Sequence, residues 1–197
     1  MNNNDKWFKY YGENILRRVG FKKGQTVLDF GCGSGVYTIP VAEIIGEQSL
    51  IYALDKDRME LERLMSRAKS MGITNIVRLD ASNKTSIALD NNSFDVVLLY
   101  DVLHHYFYPE EYERKELLAE VYRILKPAGL LSLYPTHLDS YVGPRLADIK
   151  REIEDTNFYL EQEIRGLQMM HDGGSEKGQV INFRKNFMPG KTSFPKQ

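Results

Sequence analysis

One cysteine, Cys32, and one tryptophan, Trp7, occur among 197 residues. A lone cysteine closes no internal disulfide, so no oxidised framework holds the chain together. Neither sign of charge dominates: 26 Lys and Arg face 27 Asp and Glu, a net charge of -1. No global field therefore draws the chain to nucleic acid, and the residues Arg184, Lys185, Lys191 and Lys196 give its end only a weak basic tint. No apolar run approaches the roughly 20 residues of a membrane span. Met1-Asn2-Asn3-Asn4-Asp5 lacks the basic and apolar regions of a signal peptide, so a cytoplasmic location is expected. There is no internal repeat. The length suits one core, and a single domain over 1–197 is expected.

The informative segment is Val27-Leu28-Asp29-Phe30-Gly31-Cys32-Gly33-Ser34-Gly35. A buried-strand run that meets three alternating glycines describes a strand that stops so that backbone can approach a ligand. The dinucleotide pattern G-x-G-x-x-G/A places a third small residue where Val36 stands here, which disfavours a pyrophosphate ligand. Asp29 puts a carboxylate near the mouth of the turn, a poor neighbour for phosphate and a good one for an ammonium group.

Helix and strand patterns alternate along the chain, the signature of a parallel α/β sheet. Helix is expected over Val36 to Ile45 and strand over Leu50 to Leu54. Asp57 with Glu60 caps a helix whose apolar stripe is Leu61, Leu64, Met65 and Ala68, and Gly72 follows its end. Strands are expected over Asn75 to Leu79 and Phe94 to Leu99. Pro109 suits the first turn of a helix to Leu125, Lys126-Pro127-Ala128-Gly129 stops it, and Leu130 to Tyr134 is a fifth strand. Alternation of Ile181, Phe183, Lys185 and Phe187 with Val180, Asn182 and Arg184 suits a half-exposed strand pairing with one near Phe158 to Ile164. Asp29, Asp55, Asp80 and Tyr100-Asp101 all close strands, so they converge on one crevice at the carboxyl edge of such a sheet.

The order of these landmarks resembles the class I S-adenosylmethionine (SAM) dependent methyltransferases. The glycine turn, Ile51 to Asp55, Val77 to Ala81, Phe94 to Leu99 and Leu125 to Leu130 carry the resemblance over about residues 25 to 135. It implies a Rossmann-like three-layer sandwich, a mostly parallel seven-stranded sheet with an antiparallel last strand. Within it, residues 1–24 would form an N-terminal lid with Trp7, Phe8, Tyr10 and Tyr11, residues 25–135 the cofactor core, and 136–197 the substrate side. The resemblance implies that Gly31, Cys32, Gly33 and Gly35 close around the methionine part of SAM, with Asp29 near its amino group. Asp55, flanked by Lys56, would accept both ribose hydroxyls, since a carboxylate offers two acceptor oxygens. Asp80 would accept from the adenine amine, Ala81 would face the ring edge with its backbone, and Tyr100 would border the crevice. Plain alternatives exist: Asp55 in a solvated turn, Asp80 in an Asx turn with Ser82 and Asn83, and Cys32 as a small packing residue rather than a nucleophile.

By the same resemblance, Tyr100 to Tyr108 lies where methyl group meets acceptor. One of His104 and His105 is a candidate general base, with substrate shaping or packing as the other readings, because imidazole titrates near neutral pH. His104, His105 and His137 with Asp101 or Asp139 show no recognisable ligand spacing, so no metal is expected. The chain lacks the D/N-P-P-Y motif of amino-methylating relatives and the cysteines needed for pyrimidine C5 or arsenic methylation. A small-molecule or lipid-like acceptor remains, in an apolar pocket of Tyr100, Tyr106, Phe107, Tyr108, Tyr134 and Tyr141. Oligomeric state is open, a homodimer being one candidate. A SAM-binding regulator without activity and a nicotinamide-dependent oxidoreductase are the alternatives of function.

Overall fold

A computed structural model describes residues 6–81, 85–139 and 143–186. A π-helical turn, Trp7–Tyr11, runs into α1 (Gly12–Val19), and then strands and helices alternate. They are β1 (Val27–Phe30), α2 (Thr38–Ile45), β2 (Ile51–Asp55), α3 (Arg58–Ser70), β3 (Ile76–Asp80), β4 (Phe94–Tyr100), α4 (Glu111–Ile124), β5 (Leu125–Tyr134), α5 (Leu146–Asp155), β6 (Phe158–His171) and β7 (Gly174–Lys185). The seven strands form one sheet in the order β3-β2-β1-β4-β5-β7-β6, and only β7 runs antiparallel to its neighbours. The order reverses between β1 and β4, where such sheets open a crevice. This is the expected three-layer α/β sandwich.

The two faces of the sheet bury separate cores. On one face Leu16, Ile39, Leu61 and Leu64 pack on Val27, Val96 and Val180. On the other Leu117, Leu118, Ile149 and Ile153 pack on Leu28, Val97, Leu131 and Phe183. The Asp57 cap is as expected, its side chain accepting from the Met59 and Glu60 N–H groups. Trp7 is 1% exposed, donates from its indole to the Val36 carbonyl at 2.8 Å, and meets Tyr37 edge-on. It is therefore core that supports the segment after the glycine turn, whereas Tyr10 and Tyr11 face solvent.

Several boundaries and one burial pattern differ from expectation. α2 begins at Thr38, because residues through Tyr37 are used by the glycine turn. α4 begins at Glu111, leaving Pro109 outside it, because the Pro109 carbonyl accepts from Arg114. β5 begins at Leu125: Leu125 pairs with Phe94 and Leu130 with Val96, so a bulge carries Lys126 to Gly129 outward while both leucines stay buried. β7 is not half-exposed over Val180 to Phe183, where Val180 joins one core and Ile181 and Phe183 the other, while Gly174 to Gln179 stay partly or fully open. Phe187, Tyr141, Lys191, Lys196, Ser82, Asn83 and residues 1–5 lie outside the described residues.

The segment after β4 is tied to the helix layer by a buried ion pair. Arg114 makes a fork to Glu152, Nε–Oε2 at 2.8 Å and Nη2–Oε1 at 2.7 Å. Its remaining Nη1 donates to the carbonyls of Tyr108 and Pro109. Removing one partner leaves an uncompensated buried charge, which costs about 3–5 kcal/mol. Arg114→Ala is expected to lose that much stability in urea unfolding, and the Arg114→Ala/Glu152→Ala pair to lose less than the sum of the single variants.

Candidate active site

The glycine turn hangs from the end of β2. The Gly31 and Cys32 N–H groups both donate to the Leu54 carbonyl, at 2.8 and 3.1 Å. Asp55 then accepts from the Gly33 N–H at Oδ2 and from the Asp57 N–H at Oδ1, each at 2.8 Å. One carboxylate thus ties the turn to the start of α3, and each oxygen keeps a further lone pair for a ligand donor. Gly35 has φ +83 and any Cβ there would overlap Leu64, so only glycine lets α3 pack this close. At Gly33, with φ +51, no atom stands within 4 Å of where a side chain would begin. The turn is open on that side, a backbone cradle that a ligand can enter.

Asp29 lies beneath this turn rather than at its mouth, at 2% exposure. Its Oδ2 accepts from the Thr38 hydroxyl at 2.6 Å. Burial pushes its carboxyl up to about 7, the Thr38 hydrogen bond opposes that, and the nearby Asp55 charge adds to it. A desolvated carboxylate beneath an open cradle is a place where a cation is preferred and phosphate is not.

The other expected cofactor residues divide. Asp80 stands beside Asp55 in the β2–β3 register and faces solvent, where Arg78 grips it through a fork at 3.0 and 3.1 Å. That hydrogen-bonded fork, with Arg58 beyond it, holds its carboxyl below the usual range. The Ala81 N–H donates to the Asp55 carbonyl at 3.0 Å, which ties the end of β3 to the end of β2. Lys56 is exposed and sets its ammonium 4.4 Å from the Phe107 ring, linking the end of β2 to the segment after β4. The Tyr100 side chain turns into the core, its hydroxyl 2.9 Å from Ser132, leaving only backbone for the crevice. Cys32 is buried, and burial pushes its thiol far up, so it is inert packing.

The histidine pair also divides. His104 is buried: its Nδ1 accepts from the Tyr106 N–H at 3.3 Å, which leaves Nε2 as the donor to the Asp101 carbonyl at 3.2 Å. Burial lowers its pKa, so it is a neutral imidazole with both nitrogens engaged, a brace rather than a base. His105 is half-buried against Tyr106, ring centroids 3.8 Å apart. Its Nδ1 is buried and has no hydrogen-bond partner among the described residues.

Among the described residues the expected aromatics do not gather into one pocket. Tyr100, Tyr108 and Tyr134 are core, while Tyr106 and Phe107 are exposed. The cleft past the end of β5 has a volume of about 510 Å³, with Thr136, His137, His171 and Lys177 among its lining. His171 and Glu176 escaped the sequence reading, although Asp172-Gly173 between two strand-like runs is a strong hairpin signal. That turn folds β6 onto β7, and Gly174 to Val180 project past the end of β5. The hairpin tip is fixed by Tyr37, whose hydroxyl donates to the Met170 carbonyl at 2.6 Å and accepts from the Met170 N–H at 3.0 Å.

The family model of the methyltransferase domain matches residues 28–133, from β1 through β5. The chain belongs to that family. This methyltransferase domain is 30% identical over 140 residues to the demethylmenaquinone methyltransferase of Geobacillus stearothermophilus, covering 71% of this chain and 56% of that one. It is 27% identical to sterol 24-C-methyltransferase ERG6A of Gibberella zeae, over 82% of this chain and 42% of the relative. With the ubiquinone/menaquinone biosynthesis C-methyltransferase UbiE of Citrobacter koseri it shares 25% over 83% of this chain and 71% of the other. The chain thus spans about half the length of the first of these relatives. A SAM dependent methyltransferase from Aquifex aeolicus has the same fold, with a TM-score of 0.72 at 19% identity over 93% of this chain and 94% of that one. The class I reading, the seven-stranded sheet and its antiparallel strand agree with these findings. Among the described residues no helix is long and apolar enough to cross a membrane.

The Asp29 burial gives this methyltransferase domain a signed pH dependence. Its folded carboxyl titrates at about 7 against 3.8 for the free group, so the cost of burying it is absent below the lower value. That cost grows as pH rises and is complete above about 7, reaching at most ~4 kcal/mol. Asp29→Asn is expected to raise stability in urea unfolding near pH 8, with the gain vanishing near pH 4.

Proposed function

We propose that this chain transfers a methyl group from SAM to a small, lipid-like acceptor of the quinone type. The observation that carries the cofactor half is Asp29, a dehydrated carboxylate under an open backbone cradle, which suits the ammonium and sulfonium charges of SAM. The acceptor half is supported by the demethylmenaquinone and ubiquinone/menaquinone relatives. When bound, SAM supplies an electrophilic methyl carbon whose leaving group departs as a neutral thioether.

The chain's part is to orient and dehydrate. Gly31, Gly33 and Gly35 form the backbone floor, and the free lone pairs of Asp55 accept the ribose hydroxyls. Asp80, fixed by Arg78 and Arg58, borders the adenine. The segment from Asp101 to Tyr108, held by the Arg114–Glu152 fork, closes the acceptor side. In-line displacement needs alignment above all, and fixed strand ends provide it. Where the acceptor must lose a proton, the half-buried His105 takes it, since both ring nitrogens of His104 are engaged.

Calorimetry of the protein with SAM, S-adenosylhomocysteine and NAD is expected to show binding of the two adenosyl ligands only. Asp55→Ala is expected to weaken both by at least tenfold, a loss of about 1.4 kcal/mol or more. With labelled SAM and a demethylated quinol, label should pass to the acceptor, and His105→Ala should lower kcat about a hundredfold. Binding without transfer to any quinol would refute the acceptor; NAD binding in place of SAM would refute the cofactor.

A further inference from the structure

Asp101, His137, His171 and Asp172 each present one ligand atom so that all four lie within 4.8 Å of one another. They come from three separate pieces of chain: the ends of β4 and β5, and the β6 end with the β6–β7 turn that follows it. His137 Nε2 is 2.9 Å from His171 Nε2 and 3.8 Å from Asp101 Oδ1, and His171 Nε2 is 3.6 Å from Asp101 Oδ2. Ligands at about 2.0–2.2 Å around a tetrahedral ion stand about 3.3 Å apart, and these spacings lie within about half an ångström either side of that, the shortest being an imidazole–imidazole hydrogen bond that an ion would replace. We propose that Asp101, His137 and His171 bind a divalent first-row transition ion, with Asp172, 3.8 Å from His171, as a fourth ligand or its gate.

The surroundings supply what such a site needs. Glu176 Oε1 lies 3.3 Å from His171 Nδ1, close enough to favour the proton on that nitrogen and leave the Nε2 lone pair for the ion. Tyr134 in turn donates to Glu176 at 2.9 Å. Asp101 is steadied by the Thr136 hydroxyl, and His104 stands 3.4 Å from its Oδ1. Two imidazoles with one carboxylate favour zinc or iron(II) over magnesium or calcium. Asp101, His137 and Asp172 all adopt left-handed backbone, with φ of 57, 52 and 48, a cost accepted at three of the four positions. The cleft of about 510 Å³ beside His137 and His171 leaves room for an exogenous ligand.

Ion binding itself does not depend on methyl transfer. Its use rests on the proposed function: the ion lies at the end of β4 and β5, on the acceptor side, where an open position would take a quinol oxygen and favour its anionic form.

The test is titration of the untagged, chelator-dialysed full chain with Co²⁺, read by visible absorption and competed with Zn²⁺. One equivalent with the intense bands of low-coordinate cobalt is expected. His137→Ala and His171→Ala should each weaken binding at least tenfold, Glu176→Gln by about 10–100-fold, and His105→Ala not at all. Should His171→Ala fail to fold, His171→Gln serves in its place. SAM calorimetry on the same variants should be unchanged, which separates failure of the ion site from failure of the cofactor site. Absence of saturable bands, or bands that survive in the His137→Ala/His171→Ala pair, overturns the proposal and leaves an imidazole hydrogen bond resting on Asp101.

Discussion

Parallel pairing in level register is the constraint on which the site depends. Phe30 lies beside Leu54, Asp55 beside Asp80, and Tyr100 beside Tyr134, so five strands end along one edge. Every group discussed for cofactor or acceptor follows one of those ends. A one-residue slip in a central strand would exchange its faces and carry the side chains shaped for one core into the other, so the two cores together fix the register.

Charge is distributed along that edge with a gradient of solvent access. Asp29 is dehydrated and raised, Asp55 is saturated once per oxygen by backbone, and Asp80 is exposed and clamped by arginine. Further along, Asp101 sits among three imidazoles, those of His104, His137 and His171. The same residue type at four strand ends thus serves four different electrostatic purposes, decided by burial and partners rather than by sequence.

The β6–β7 hairpin adds what the first five strands do not provide. Because β7 pairs with β5 only over Arg184 to Ile181, the rest of the hairpin overhangs the carboxyl edge. Tyr37, itself braced by Trp7 and Tyr100, locks the tip through both polar backbone groups of Met170. The acceptor side is therefore coupled physically to the segment after the glycine turn, through one phenol.

The local pattern of this chain was enough for the β1 turn, the Asp57 cap, the strand runs closed by Asp29, Asp55 and Asp80, and the inert Cys32, because glycine spacing, capping and apolar periodicity act over a few residues. It was not enough for the brace role of His104, the burial of Tyr100, or the two-sided burial of β7 over Val180 to Phe183. Those depend on which strands become neighbours. The meeting of Asp101, His137 and His171 belongs to the same class: sequence supplied the residues, and only the overhang of a hairpin across level strand ends brought their atoms together.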